Sequence, residues 1–341
     1  MWRRFLPALL LAVCAARLCV WFDVPLPWMI GPLFATAIAC MCDVPLGAPV
    51  QAREAGQWAI GTTLGLYFSA PVVAVLATYS GWIALAVCFA LALGWLGGLL
   101  LQRVAGADRG TAFFAMAVGS ASEMAVQAER HGVRVDHVVA AHSLRIMLVV
   151  GIFPFALRAW SGHGLARGSD AFTPFVADVH VAGLLILIAL TAAGSLLLKR
   201  WRIPNAWVIG SLLVALALTA GGVHLSRLPE WMVRTGQLLI GVSLGTRFTP
   251  AFVRTAPRYL ACVAGCALAM MALGAAFGIG VAALAGIHPG TMVLATSPGG
   301  LAEMALTARV LHLGVPVVTA FHVARMFAVV LLIGPLYRWS R

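Results

Sequence analysis

The sequence predicts an all-α polytopic membrane protein made of two homologous repeats of about six helical segments each. Three observations predict it. The 341 residues are 62% hydrophobic and only 10% charged, with a mean hydropathy of +0.97, whereas a soluble domain carries about 25% charged residues. Apolar runs at 72–101 and 259–286 exceed the ~20 residues that a helix needs to cross a bilayer. Three sequence blocks recur in one order at an offset of 179 or 180 residues, and internal repeats of this kind mark transporter folds.

The blocks are specific. Pro25-x-x-Trp28-x-x-Gly31 returns as Pro204-x-x-Trp207-x-x-Gly210. Gly56-Gln57-x-x-Ile60-Gly61-x-x-Leu64-Gly65 returns as Gly236-Gln237-x-x-Ile240-Gly241-x-x-Leu244-Gly245. Residues 110–145 align without gaps on 290–325 and share 13 of 36 positions. Within that third block, Gly119, Glu123-Met124-Ala125, His142 and Arg145 match Gly299, Glu303-Met304-Ala305, His322 and Arg325.

The elements follow in order. Segment 5–22 comes after Arg3 and Arg4 and resembles a signal peptide, but it lacks a small-x-small cleavage site and further spans follow, so it reads as a retained first helix (1–23). Repeat A covers 24–160, with segments at 26–42, 56–70, 73–101, 110–128 and 137–158. A linker loop and transmembrane helix occupy 161–202, the helix at 179–198. Repeat B covers 203–341, with segments at 205–222, 235–249, 257–286, 290–308 and 316–337. All are helical by length; barrel strands would be shorter and alternating.

Charge distribution favours inverted repeats. Loop 66–77 has no charge, while its counterpart carries Arg247, Arg254 and Arg258; Arg103, Asp108 and Arg109 face a second-half loop whose one ionisable residue is His288. Inversion requires one segment per half that does not cross. The Glu-bearing segments qualify, because Gly119-Ser120-Ala121-Ser122 and Ser297-Pro298-Gly299-Gly300 interrupt them and proline breaks a helix. Helices at 110–128 and 290–308 are thus expected to be re-entrant or broken. With a cytoplasmic N-terminus, nearly all loop arginines then fall inside, in keeping with the positive-inside rule.

Ionisable residues inside apolar sequence mark functional pathways. Glu123 and Glu303 are the first candidates, as ion or proton sites. Next come His142 with Arg145 and His322 with Arg325, which at i and i+3 share a helix face. Arginine suits a carboxylate ligand and histidine titrates near neutral pH. The bland alternative is that Arg145 pairs with Glu123 and Arg325 with Glu303 only to fix packing. Ser120, Ser122, Ser297, Gly299 and Gly300 complete the candidate substrate- and ion-binding set. The glycine-rich block reads as close helix packing, and Trp28 and Trp207 as interfacial anchors.

Other classes are disfavoured. The net charge of +12 comes from singly spread basic residues, not a nucleic-acid-binding face or tail, and no soluble domain is present for direct DNA contact. There is no Walker motif, H-E-x-x-H or G-x-S-x-G, so no enzyme, metal or cofactor is expected. The seven cysteines include no C-x-x-C pair and read as small hydrophobes. Cys40-Met41-Cys42 and Cys262-x-x-x-Cys266 are only weak metal hints.

The duplicated G-x-x-x-E-M-A … H-x-x-R halves, preceded by G-Q-x-x-I-G-x-x-L-G, resemble the AbrB membrane-protein family over nearly the whole chain. That family is distinct from the small soluble DNA-binding regulators sharing its name. The resemblance implies a multi-pass protein of the bacterial inner membrane. It also implies one of three labels: transporter, ammonia monooxygenase, or regulator of a gene for a DNA-damage-response acyl-CoA dehydrogenase-like protein. The residues favour a secondary transporter working by alternating access, coupled to H⁺ or Na⁺ and moving a small solute, with an anionic one favoured. The alternatives are a membrane-embedded sensor acting indirectly on gene expression and, remotely, a monooxygenase. The expected partners are the bilayer, the solute and the coupling ion; the glycine-rich faces are compatible with a homodimer.

Overall fold

The computed structural model describes residues 2–161, 178–248 and 257–339, apart from the side chains of Ser122 and Ser161. The linker loop at 161–178 and Arg254 therefore fall largely or wholly outside the described residues. Fifteen helices and no strand occur among those described. The first eight are α1 (Trp2–Trp21), α2 (Pro27–Met41), α3 (Val50–Gly65), α4 (Ala70–Thr78), α5 (Ser80–Ala105), α6 (Arg109–Met116), α7 (Ala121–Arg130) and α8 (Val135–Ser161). The other seven are α9 (Val181–Arg200), α10 (Ala206–Ala220), α11 (Glu230–Gly245), α12 (Pro257–Ala285), α13 (Pro289–Thr296), α14 (Leu301–Val310) and α15 (Val315–Trp339).

Six of them, α1, α5, α8, α9, α12 and α15, are long and apolar enough to cross a membrane. In α1 and α9 only 17% of the apolar stretch is buried inside the protein. Leu6, Leu10, Leu185 and Leu196 all project outward. Apolar surface on this scale needs lipid around it, so the chain is a multi-pass membrane protein. Helices α2 and α10 are shorter and equally apolar. The stretch expected as one segment at 73–101 is instead two helices, because the chain turns at Tyr79 (φ −91°, ψ 7°). Helices α3 and α4 meet at 87°.

The helices sort into two compact units, α1–α4 with α9–α11 and α5–α8 with α12–α15. Each unit draws on both sequence repeats, so the repeats at 24–160 and 203–341 are units of sequence, each shared between two bodies.

The first unit is held by the repeated glycines. A β-carbon on Gly61 would overlap the Val208 carbonyl and Ser211 Oγ of α10, and one on Gly65 would overlap the Leu212 carbonyl. The equivalents Gly241 and Gly245 of α11 lie on the Met29 and Leu33 carbonyls of α2. The third helix of each half thus packs on the second helix of the other half. Gly56 meets the Gly236 carbonyl where α3 and α11 cross. Backbones brought this close gain dispersion that any side chain would forfeit. Helices α2 and α10 also start alike, from Leu26 and Asn205 in the left-handed region at φ 52°. Phe5, Ala8, Ala12, Ala52, Leu238 and Val242 fill the core between α1, α3 and α11.

The second unit uses the same device. Gly94 and Gly98 of α5 seat the end of α6 against Ala117 and Phe113, and Gly274 and Gly278 of α12 seat α13 against Thr296 and Met292. One core of this unit joins Leu93, Met116, Ala141 and Val263. A second joins Phe114, Met124, Val329 and Tyr337.

Overpacking of such a crossing costs about 1–3 kcal/mol or more. Gly61→Leu is expected to lower the thermal midpoint of the detergent-solubilised protein sharply. Gly265→Leu, where a β-carbon meets nothing within 4 Å, should leave it unchanged. Equal shifts for the two would refute the packing role.

Candidate functional site

Both Glu-bearing segments are broken. Helix α13 stops at Thr296 because Pro298 follows: the residue before a proline is driven out of the helical region, and Ser297 sits at φ −63°, ψ 148°. Helix α6 stops at Met116, with Ala117 at φ −51°, ψ 134°, although Val118 stands where the proline would be. Proline is therefore not what both breaks share. They share a glycine and what holds the free carbonyls.

The glycine makes room for methionine. A β-carbon on Gly119 would collide with Met124 Cε and Val329 Cγ1, and one on Gly299 with Met304 Cγ and Val149 Cγ1. Met124 and Met304 are fully buried beneath the two turns.

A helix that ends inside protein leaves carbonyls without donors. His142 and Arg145 of α8 supply them to the first break. His142 Nε2 donates to the Phe114 carbonyl at 2.9 Å. Arg145 Nη1 donates to the carbonyls of Ala117 at 2.9 Å and Met116 at 3.3 Å. Its Nη2 donates to Gly119 at 3.3 Å and to His142 Nδ1 at 2.8 Å. The second break repeats this, except that among the described residues Arg325 has no counterpart to the Arg145–Met116 bond. His322 Nε2 donates to the Leu294 carbonyl at 2.9 Å, and Arg325 Nη2 to His322 Nδ1 at 2.8 Å. Arg325 also donates from Nη1 to the Ser297 carbonyl and from Nη2 to that of Gly299.

This network fixes the tautomer. A carbonyl only accepts and a guanidinium only donates, so each imidazole carries its proton on Nε2 and accepts at Nδ1. A second proton on Nδ1 would face a guanidinium N–H. In this arrangement the two histidines orient the arginines. The guanidiniums offset the negative ends of the α6 and α13 dipoles, and both are buried, Arg145 at 2% and Arg325 at 8% exposure.

The packing pairs Arg145–Glu123 and Arg325–Glu303 do not form. Among the described residues neither guanidinium has a carboxylate partner; carbonyls take their place. The carboxylates lie on the other side of the breaks, at the third position of α7 and of α14. Ser120 caps α7, its Oγ accepting from the Glu123 N–H at 3.3 Å. Glu123 is half-buried and its Oε1 accepts from Gln127 Nε2 at 3.4 Å. Gly300 occupies the matching position of α14, and Glu303 is buried, its carboxylate lying over Gly300. Ser297 is fully buried, its Oγ donating to the Leu294 carbonyl at 2.8 Å. The Ser122 side chain lies outside the described residues.

All the predicted residues with described side chains thus gather at two equivalent breaks of the second unit. Sequence reasoning missed Gly94, Gly98, Gly274 and Gly278, although they stand at the same offset of 180. Thr296, which the sequence offers beside Ser297 as a neutral ligand, instead ties the end of α13 to α12, its Oγ1 donating to the carbonyls of Gly274 and Met292 at 2.9 and 2.8 Å. Among the described residues no three His, Cys, Asp or Glu side chains converge as metal ligands do.

Comparison with known proteins places the chain in a family. The family described as "Transition state regulatory protein AbrB" matches residues 28–341. The chain belongs to the AbrB family. A relative from Bacillus subtilis (strain 168), "Uncharacterized protein YhjN", is 26% identical over 333 residues, covering 91% of this chain and 86% of the relative. "Putative regulator AbrB" of Escherichia coli (strain K12) is 26% identical over 315 residues, covering 91% and 88%. No solved structure matches significantly.

Charge-assisted hydrogen bonds contribute about 1.5–3 kcal/mol each, and lysine cannot fork to two carbonyls. Arg145→Lys and Arg325→Lys are each expected to lower the thermal midpoint markedly, and Glu123→Gln to leave it nearly unchanged. A drop for Glu123→Gln as large as for Arg145→Lys would restore the ion-pair reading.

Proposed function

We propose that this AbrB-family protein is a secondary transporter of the bacterial inner membrane, with its N-terminus in the cytoplasm and its repeats inverted. One observation carries the reading: two helices broken at equivalent positions, each with a carboxylate just past the break and its free carbonyls held by His-x-x-Arg from a neighbouring helix. Gly/Pro-interrupted segments in corresponding positions of two halves are the best sequence pointer to a transporter site. Unwound backbone at membrane depth is tolerated where it is buried in protein or lines a cavity.

In this reading the coupling ion, H⁺ or Na⁺, is taken up by a carboxylate just past a break, Glu123 or Glu303, with Ser120, Ser122, Ser297, Gly299 and Gly300 shaping the two turns. His142, Arg145, His322 and Arg325 hold the breaks open. A small anionic solute is favoured, because a guanidinium lies at each break and arginine suits a carboxylate ligand. No chemistry on the solute is proposed. The partners are the bilayer, the solute and the coupling ion.

A second reading is a membrane sensor that binds at the same place without translocating and acts on gene expression indirectly. Its support is the word regulator in the name of the Escherichia coli relative and the description of the family.

Uptake of labelled small carboxylates into proteoliposomes under an imposed H⁺ or Na⁺ gradient separates the two. Transport predicts gradient-driven uptake that falls at least tenfold in Glu123→Gln at equal amounts of folded protein. Ligand-induced thermal stabilisation without uptake of any solute would favour the sensor.

A further inference from the structure

The two breaks are held alike but their carboxylates are not. We infer that Glu123 is the carboxylate that exchanges the coupling ion, and that Glu303 is a fixed cap of its own helix. The inference rests on the transporter reading for what the exchange drives, not for the exchange itself.

Glu123 and Glu303 occupy the same helical position, and the residue three places earlier decides what each side chain does. At the start of α7 this residue is Ser120, in extended conformation (φ −76°, ψ 144°), with its Oγ accepting from the Glu123 N–H. A serine cap with glutamate three residues on is the capping-box sequence, in which the carboxylate would reach back to the cap's own N–H. Here it does not. The carboxylate turns away toward Gln127, whose Nε2 reaches Oε1 at 3.4 Å, a long and weak hydrogen bond. The serine does the capping, and Glu123 stays only partly buried.

At the start of α14 the residue is Gly300, which has no side chain to offer. Glu303 folds back toward the vacant volume: a β-carbon on Gly300 would collide with Oε2. There its charge meets the positive end of the helix, and the side chain is only 8% exposed. A second difference points the same way. Thr307 replaces Gln127, and its hydroxyl donates to the backbone carbonyl of Glu303 at 2.8 Å, not to the carboxylate. Serine with glutamine thus frees one carboxylate; glycine with threonine seats the other.

The charged groups around Glu123 are otherwise committed. Helix α7 packs on α6 and α8 and shares a core with α15, whose His322 and Arg325 hold α13 carbonyls and whose Arg338 lies in its last turn. Arg145 and His142 of α8 hold α6 carbonyls, and Asp136 and His137 pair with each other at the far end of α8. Helix α6 carries only Arg109, in its first turn; Glu129 and Arg130 lie in the last turn of α7. A proton arriving at Glu123 neutralises its carboxylate. A sodium ion would bind between its oxygens and the neutral amide of Gln127.

Infrared difference spectroscopy of the purified protein in lipid tests this directly, recorded between alkaline and acidic pH and between choline and sodium chloride. Wild type is expected to show a carboxyl band that is lost in Glu123→Gln and kept in Glu303→Gln, whose thermal midpoint falls. Ser120→Gly retains both carboxylates, yet should lose the band as Glu123 folds back to cap its helix. If Glu303→Gln does not fold, Gly300→Ser replaces it: serine takes over the cap, displaces Glu303 and should add a second band. The inference is overturned if Glu123→Gln removes no band, if each glutamine variant removes half of it, or if Ser120→Gly leaves it intact. Wild type without solute flux but with the Glu123 band would overturn the transporter reading and leave this assignment standing.

Discussion

A carbonyl left free at a helix end inside an apolar unit has no water to bond, and an unsatisfied group there costs several kcal/mol. The second unit is arranged around this constraint. Helices α6 and α13 stop midway, and His-x-x-Arg on the neighbouring long helix reaches the stranded carbonyls. Guanidinium suits the task, because its rigid fork of donors matches two carbonyls in succession. Histidine completes it by taking one more carbonyl through Nε2 and steadying the fork through Nδ1. Buried positive charge, a penalty elsewhere, is offset here by the negative ends of two helix dipoles.

The glycines follow from the same constraint. A helix of eight residues, such as α6 or α13, buries little surface by itself and is placed only if a neighbour comes very close. Gly94 and Gly98 beneath α6, and Gly274 and Gly278 beneath α13, allow that approach. In the first unit the same spacing has another use: Gly61 with Gly65, and Gly241 with Gly245, lock the third helix of one half to the second helix of the other. One spacing thus supports a broken helix in one body and ties the two repeats together in the other.

Much of this was legible in the sequence. Helix class, membrane character and both breaks followed from apolar length and from Gly/Pro interruption, which are local properties. Pro298 marked its break directly; Gly119-Ser120-Ala121-Ser122 marked the other, just past Ala117. What local sequence does not carry is the partner of each charge. Arg145 and Glu123 looked like an ion pair because opposite charges in apolar sequence ordinarily seek each other. The competing partner, a run of backbone carbonyls, is invisible to any reading by residue type. The turn at Tyr79 was missed for a similar reason, since nothing in an apolar run of that length signals a bend. The composition of the two bodies was hidden too, because exchange of helices between repeats is a property of packing and not of order along the chain.

The duplication also serves as an internal control. Two copies of one element, in one chain, experience the same solvent and the same constraint on their backbone. The features that match between them, Gly119 with Gly299, Met124 with Met304 and the two His-x-x-Arg pairs, are those that hold the break itself. The features that differ, Ser120 against Gly300 and Gln127 against Thr307, govern only the carboxylate and leave the backbone path of each break unchanged. A binding protein with two equal sites would gain nothing from that split. A cycle driven by one ion has reason to keep one carboxylate free and the other seated, because a second exchangeable charge would change the stoichiometry without making the break any more stable. The asymmetry of the pair therefore bears more on function than the symmetry that first draws attention to it.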